Sequence, residues 1–269
     1  MQSNAYLMEN ADEATRLDMK TDQLALRRQA LWAGIRQGMH VADVGSGSGI
    51  TSSYLHSLVQ PGGTVTGVDA SKERIDYARD RYGLDGITFH QHDMRQPLDG
   101  LGQFDFVWVR FVLEYFRSNS ESLVRNISNI VKPGGILCLV DLDHNCLNHF
   151  GMSERLEKTL YGIIGALQEK ANFDPYAGRK LYSFLYDLGY EEIDVTVSAH
   201  HLIFGSLQES DAFNWMKKVE VAPKKIGYAF TEYEGGYEEF LEEFRNFLND
   251  PRRFTYSPII SCRGIKPAA

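Results

Sequence analysis

The sequence predicts an α/β fold, a doubly wound and mostly parallel sheet with helices on both faces. Three observations predict it. Short apolar runs alternate with amphipathic stretches from residue 39 to residue 141, as successive βα units require. The first run, Met39–Val44, passes straight into a glycine loop, Gly45-Ser46-Gly47-Ser48-Gly49. The run Phe104–Val109 is apolar almost without interruption, the pattern of a strand buried on both faces.

The elements follow in order. Thr21 to about Arg36 places Leu24, Leu31, Trp32 and Ile35 three and four apart, which predicts an amphipathic helix. Thr21 or Asp22 can cap it, and Gly38 is a stop signal beyond its end. Strands are expected at Met39–Val44, Thr64–Val68, Ile87–Gln91, Phe104–Val109 and Ile136–Val140, with helices at Ile50–Leu58, Lys72–Tyr82 and Leu123–Val131 between them. Val131-Lys132-Pro133-Gly134-Gly135 reads as a tight turn before the fifth strand. After Asp141 the rhythm breaks. Helices are expected at Glu154–Lys170, Arg179–Leu188, Ser206 to about Lys218 and Gly236 to about Asn249. A sixth strand, Ile193–Val197, and a last one, Phe254–Cys262, complete a seven-stranded sheet. Residues 1–38 are expected to form an N-terminal helical lid. Residues 39–269 form the main domain, with helical lid insertions at about 144–178 and 205–250.

Bulk properties narrow the function classes. The formal net charge of −8 makes a phosphate backbone an unfavourable partner, so no nucleic acid is expected. The adjacent basic pairs, such as Lys217-Lys218 and Arg252-Arg253, are short and scattered and read as solvated charges. The three cysteines lack a CxxC, and an odd count argues against a disulfide framework. Met1 to Lys20 has no apolar signal stretch, and no apolar run is long enough to span a membrane, so a cytoplasmic protein without a membrane partner is expected.

The glycine loop carries the chemistry. Val41-Ala42-Asp43-Val44-Gly45-Ser46-Gly47-Ser48-Gly49 runs from strand to turn to helix. Glycine there lets the backbone turn with positive φ and approach a ligand closely. The spacing is not GxGxxG, because the third glycine comes one residue early, so a dinucleotide pyrophosphate is disfavoured. The second strand ends in Val68-Asp69, where a carboxylate can accept from ribose hydroxyls. The third is followed by His92-Asp93-Met94, a carboxylate with an apolar neighbour that suits an adenine edge and face.

Taken in order, VADVGSGSG, GVDAS, HDM, FDFVWVRFVLEY and VKPGGILCLVD resemble the class I S-adenosylmethionine-dependent methyltransferases. They are similar in particular to the ubiquinone/menaquinone biosynthesis branch, which acts on small molecules. The resemblance covers roughly residues 39–141. It implies a Rossmann-like sheet with an antiparallel last strand, S-adenosylmethionine as cofactor and a small-molecule acceptor. It places Gly45, Ser46, Gly47 and Gly49 against the amino-acid end of the cofactor. Asp43 would orient that loop or hold the ammonium. Asp69, with Ala70, would bind the ribose, and Asp93 and Met94 the adenine. Arg110 and Phe111 would face the methionine portion, and Arg16 could pair with its carboxylate.

Methyl transfer from a sulfonium needs alignment and exclusion of water more than it needs a base. Candidate catalytic residues are Tyr115, with Glu114 beside it, Asp141, and His144 as a base near neutral pH, oriented by Asp141 or Asp143. The order DxDH…H, ending at His149, is not a ligand spacing for zinc, so no metal is expected. Cys146 lacks the signs of an activated thiolate. His200 and His201, adjacent on an extended segment, should point to opposite sides and read as structural. An RNA or protein acceptor would call for a basic cleft rim, and a cofactor-binding protein that has lost methyl transfer would keep the same loop. The sequence leaves the oligomeric state open, with the Tyr- and Phe-rich C-terminal helices as a candidate dimer surface.

Overall fold

A computed structural model describes residues 17, 18 and 21–268. Arg16, and with it most of the N-terminal lid expectation, lies outside the described residues. The first described helix, α1 (Gln23–Ala33), is capped by Asp22, whose carboxylate accepts from the amides of Leu24 and Ala25. It stops at Gly34, left-handed with φ 100°, four residues before the expected stop signal. Its buried face is Leu26, Ala30 and Ala33, whereas Leu24 and Leu31 are exposed. The apolar face read from the sequence was therefore rotated from the one that packs.

The sheet elements are β1 (His40–Val44), β2 (Thr64–Asp69), β3 (Ile87–Gln91), β4 (Phe104–Arg110), β5 (Val131–Leu142), β6 (His149–Phe150), β7 (Glu191–Phe204) and β8 (Phe254–Ile265). The order is β3-β2-β1-β4-β5-β8, with β6 and β7 both pairing to β8. β1 through β5 are parallel, and β8 runs antiparallel to β5, β6 and β7. Chain order reverses at β1, which pairs with both β2 and β4. That reversal opens a crevice at the carboxyl ends of the strands.

An eighth, two-residue strand thus joins the seven expected. β5 also starts earlier than expected, because Val131 already pairs with Phe104 across an irregularity in the ladder. β7 is far longer than Ile193–Val197. It lies at the sheet edge and most of its residues are exposed, so only the alternating stretch Ile193–Val197 was readable as strand.

Helices α2 (Ile50–Val59) and α1 cover one face of the sheet, packing Leu55, Val59 and Leu26 around Trp108. α4 (Ser120–Ser128) and α6 (Leu181–Asp187) cover the other with Leu123, Ile127, Leu181 and Leu185. α3 (Lys72–Tyr82) packs Ile75 and Ala78 on β3. The remaining helices, α5 (Glu154–Lys170), α7 (Glu209–Ile226) and α8 (Gly236–Asn249), build a third core among themselves. Trp215, Phe240, Phe244 and Phe247 are buried in it. Most aromatics of the C-terminal helices are therefore interior, while Phe213 on α7 is exposed. Exposed aromatic side chains also sit in a row across three strands, Phe150 opposite Phe254 opposite Phe204. Among the described residues no helix is long and apolar enough to cross a membrane.

Candidate functional site

The glycine loop turns sharply at the end of β1. Gly45, Gly47 and Gly49 all have positive φ, which L side chains adopt at a cost. A side chain at Gly45 would strike the Val112 side chain, and one at Gly49 would meet Ala78 Cβ at 2.7 Å. The two glycines serve different ends. Gly45, Ser46, Gly47 and Ser48 line a cavity of about 700 Å³, while Gly49 does not and instead lets α2 approach α3. That revises the expected role of Gly49 from ligand contact to packing.

Successive strand ends feed the same cavity. Asp43 and the loop come from β1, Asp69 and Ala70 from β2, Asp93 and Met94 from β3, and Arg110 and Phe111 from β4. The seven-residue separation of Asp43 from Ile50 also lets Ser52, on the first turn of α2, donate to Asp43 at 2.6 Å. Asp43 is buried, and that burial raises its pKa to about 7 against the opposing pull of the Ser52 hydrogen bond.

Asp69 is almost fully buried and its two oxygens are used differently. Oδ1 accepts from Arg74 Nε at 3.1 Å, from a second Arg74 nitrogen at 3.0 Å and from the Ser71 amide at 2.9 Å. Oδ2 accepts from the Gly47 amide at 3.0 Å and keeps lone-pair capacity for a hydroxyl. Arg74, on the first turn of α3, is a functional residue that the sequence reading missed. Asp93 is more fully engaged: Arg95 donates to both of its oxygens, at 2.7 to 3.0 Å. These bonds hold its carboxyl below the usual range.

Arg110 stacks its guanidinium 4.0 Å from the Phe111 ring centroid. Burial lowers its pKa to about 10, partly offset by Asp43, so it stays protonated at neutral pH. Its Nε, and the hydroxyls of Ser46 and Ser48, are buried without a hydrogen-bond partner among the described residues. Orphaned buried polar atoms are costly. Three of them on residues lining one cavity mark a place built for a polar ligand.

Residues 42–139 match the family described as a methyltransferase domain. Among curated relatives, a ubiquinone biosynthesis O-methyltransferase of Bordetella avium is 34% identical over 140 residues, covering 50% of this chain and 51% of that one. An arsenite methyltransferase of Aquipseudomonas alcaligenes is 32% identical over 145 residues, covering 48% of this chain and 40% of the relative. The chain spans about half the length of the curated relatives it matches. The solved structure of the YcgJ protein from Bacillus subtilis superposes with a TM-score of 0.56 at 20% identity, covering 92% of this chain and all of that one, 100%. The last comparison concerns the fold alone.

The expected catalytic residues separate in space. Tyr115 lines the cavity; Asp141 and His144 do not. Asp141 is buried beneath the loop after β4, accepting from the Glu114 and Leu142 amides. Burial and the neighbouring Glu114 push its carboxyl well above the usual range. Asp143 is occupied by Arg179 at 2.7 Å and 2.9 Å. Neither aspartate therefore orients His144 in the manner expected. The His144 ring lies edge-on to Tyr176, 5.1 Å between centroids.

His149 accepts a structural role, bonded to Thr255 and Cys146 and packed on Trp215. Burial lowers its pKa to about 4. Burial likewise pushes the Cys146 thiol up, the opposite of an activated nucleophile. His200 and His201 do not point apart: a ladder irregularity follows His200, His201 has φ 50°, and the two rings lie 3.9 Å apart. His200 reaches Phe111 at 5.2 Å. Among the described residues no group of three or more His, Cys, Asp or Glu side chains is arranged to hold a metal.

Proposed function

We propose that this chain transfers a methyl group from S-adenosylmethionine to a small-molecule acceptor by in-line displacement in the cavity described above. One observation carries the reading. Four successive strand ends bring the glycine loop, Asp69, Asp93 and Arg110 to one cavity at the point where the sheet order reverses. The curated relatives named for ubiquinone biosynthesis and for arsenite support a small acceptor.

The residues present fit the cofactor. The orphaned hydroxyls of Ser46 and Ser48 and the Nε of Arg110 are polar groups in want of partners. When bound, the cofactor supplies an activated methyl group on a sulfonium. The protein does the rest. Asp69 Oδ2 accepts a ribose hydroxyl. Asp43 faces the ammonium, whose charge favours the ionised carboxylate. Arg110 sits by the amino-acid carboxylate, where Arg16 would be a second partner. Met94 gives an apolar wall to the adenine. Tyr115 is the group best placed to touch the acceptor, and a base is required only for acceptors that enter protonated. The inserted helices α5, α7 and α8 would act as the lid that excludes water.

Calorimetric titration with S-adenosylmethionine, S-adenosylhomocysteine and NADH tests the reading. Micromolar binding of both adenosyl ligands and none of NADH is expected, followed by transfer of a labelled methyl group to an acceptor. Binding of NADH alone would sink it.

A further inference from the structure

β5 stops opposite Ile259, but the start of β8 runs on past it, flanked by β6 and by the end of β7. These three pieces form a wing whose faces differ. Thr255, Ser257 and Ile203 point to one side and are buried, Ile203 in the core of the inserted helices. Phe150, Phe254 and Phe204, directly opposite one another in the ladders, share the other side. Tyr256 and Leu202, two residues along, extend that row, and Val197 follows it opposite Ile260. Phe204 and Phe254 stack with centroids 6.5 Å apart, and Phe254 lies 5.8 Å from Tyr256. Further along β8, α6 closes the same face of the sheet by packing Leu181 and Leu185 with Cys262. The wing is left bare: Phe150 is 70% exposed, Phe204 and Val197 63%, Leu202 48%, Phe254 43% and Tyr256 37%.

We infer that a second copy of the chain docks on this face, giving a two-fold dimer in which the aromatic row of each copy packs on that of the other. Area supports a partner of this kind. At about 200 Å² for an aromatic side chain, the four rings leave roughly 400 Å² of apolar surface bare. Val197 and Leu202 bring it to roughly 600 Å², the upper end of what monomers leave in one patch. Two copies would bury about 1,200 Å², where the range of standard specific interfaces begins. Charge selects the partner. Residues 149–150, 197–204 and 254–260 contain no Asp, Glu, Lys or Arg, in a chain whose net charge is −8. Two copies can meet there without opposing carboxylates, whereas a nucleic acid or an anionic bilayer finds nothing to attract it. The free edge of β7 is not the docking element. Its ladder is interrupted twice, and the Val195 amide already donates to Asp194 Oδ1 at 2.9 Å, both of which blunt an edge against strand addition. An uncovered sheet face packs instead on another such face, about 10 Å away. A two-fold axis suits it, because the same patch serves both sides.

Docking at this face requires nothing of the cavity, so it stands or falls apart from the methyl-transfer reading. An interface of this size is expected to dissociate at about 1–100 µM, and sedimentation velocity of the full chain over that range should show a shift from monomer to dimer. F150E/F204E sets like charges against each other across the interface and should raise the dissociation constant at least about 30-fold. Its melting temperature should stay unchanged, because both side chains are exposed and neither lines the cavity. F150L/F204L keeps the face apolar and should remain dimeric. V197K, elsewhere on the same face, should act as F150E/F204E does and carries the test if that variant misfolds. An unaltered chain that is still monomeric at about 200 µM overturns the inference, and so does a dimer that neither charged variant weakens. A monomer that pellets with phosphatidylcholine vesicles, and no longer does so as F150E/F204E, overturns it too and gives the face to a bilayer instead.

Discussion

The sheet built by β1 to β5 and the cluster of α5, α7 and α8 are put together on different principles. In the sheet, β1, β2 and β4 are each followed by a helix, and the residues lining the cavity lie at strand ends, in the turns beyond them or on the first turn of the next helix. The helical cluster closes its own core around Trp215, Phe240 and Phe244 and reaches the cavity only through the last residues of α5 and α7. The glycine-loop end of the cavity and the helical insertion therefore rest on separate hydrophobic cores. Changes to one core should be felt weakly at the other site, since distant substitutions without shared partners act almost independently.

The strongest way to break the donor half alone is Gly45→Val. A side chain there meets Val112 and forces a β-branched residue to φ 85°. Affinity for S-adenosylhomocysteine should fall more than about 100-fold, since the loop can no longer approach the ligand; titration calorimetry at normal affinity would detach the loop from the cavity. The mirror experiment is Phe244→Ala, which opens the helical core and should cost about 3–5 kcal/mol in urea unfolding. S-adenosylhomocysteine affinity should stay within about threefold of its starting value, and a parallel loss would show that the halves are not separable.

Asp69→Ala should weaken S-adenosylhomocysteine by about 1–3 kcal/mol, the usual cost of removing a buried hydrogen-bonding partner. It also takes two hydrogen bonds from the buried Arg74 guanidinium, so the melting temperature should drop as well. Unaltered binding in this variant would remove the ribose assignment.

A smaller effect comes from Asp43, whose pKa is raised to about 7 by burial. Because the folded value lies above the ordinary 3.8, its contribution to stability is full below about pH 4 and is lost as pH rises through about 7. Ligand binding has the opposite sign. An ammonium beside Asp43 prefers the ionised carboxylate, so affinity should rise roughly tenfold from pH 6 to pH 8, with release of a proton. Asp43→Asn should flatten that slope; an unchanged slope assigns the titration to another group. The smallest effect is expected for His144→Ala. Its ring packs on Tyr176 outside the cavity, and kcat should change less than about threefold.

How much of this could be read from the chain alone follows the same division. Asp69 and Asp93 were legible because a strand delivers its final residue and the turn just beyond it to the sheet edge, so position in sequence becomes position in space. Arg74 was not, because nothing in the spacing says that a charged residue on the first turn of α3 will fold inward onto Asp69. Gly49 looked like its neighbours in the loop, yet what it must accommodate is Ala78 and Phe89, residues brought near only by the tertiary fold. His200 and His201 were assigned to opposite faces by the alternation rule, and an irregular ladder breaks that rule. Lys170 donates to the carbonyl of Ile226, 56 residues away in sequence, only because α5 and α7 end side by side. Periodicity within each helix could not announce that meeting.

The two oxygens of Asp69 carry one more consequence. With Oδ1 held by Arg74 and Ser71, and Oδ2 by the Gly47 amide, the side chain has one orientation before any ligand arrives. A flexible carboxylate would have to be frozen on association, at about 0.5–1.5 kcal/mol for a mobile side chain. Here that ordering is completed during folding, so an incoming hydroxyl meets an acceptor already aimed. The site behaves as a preset mould, and the entropy of shaping it is charged to the synthesis of the protein once rather than to every turnover.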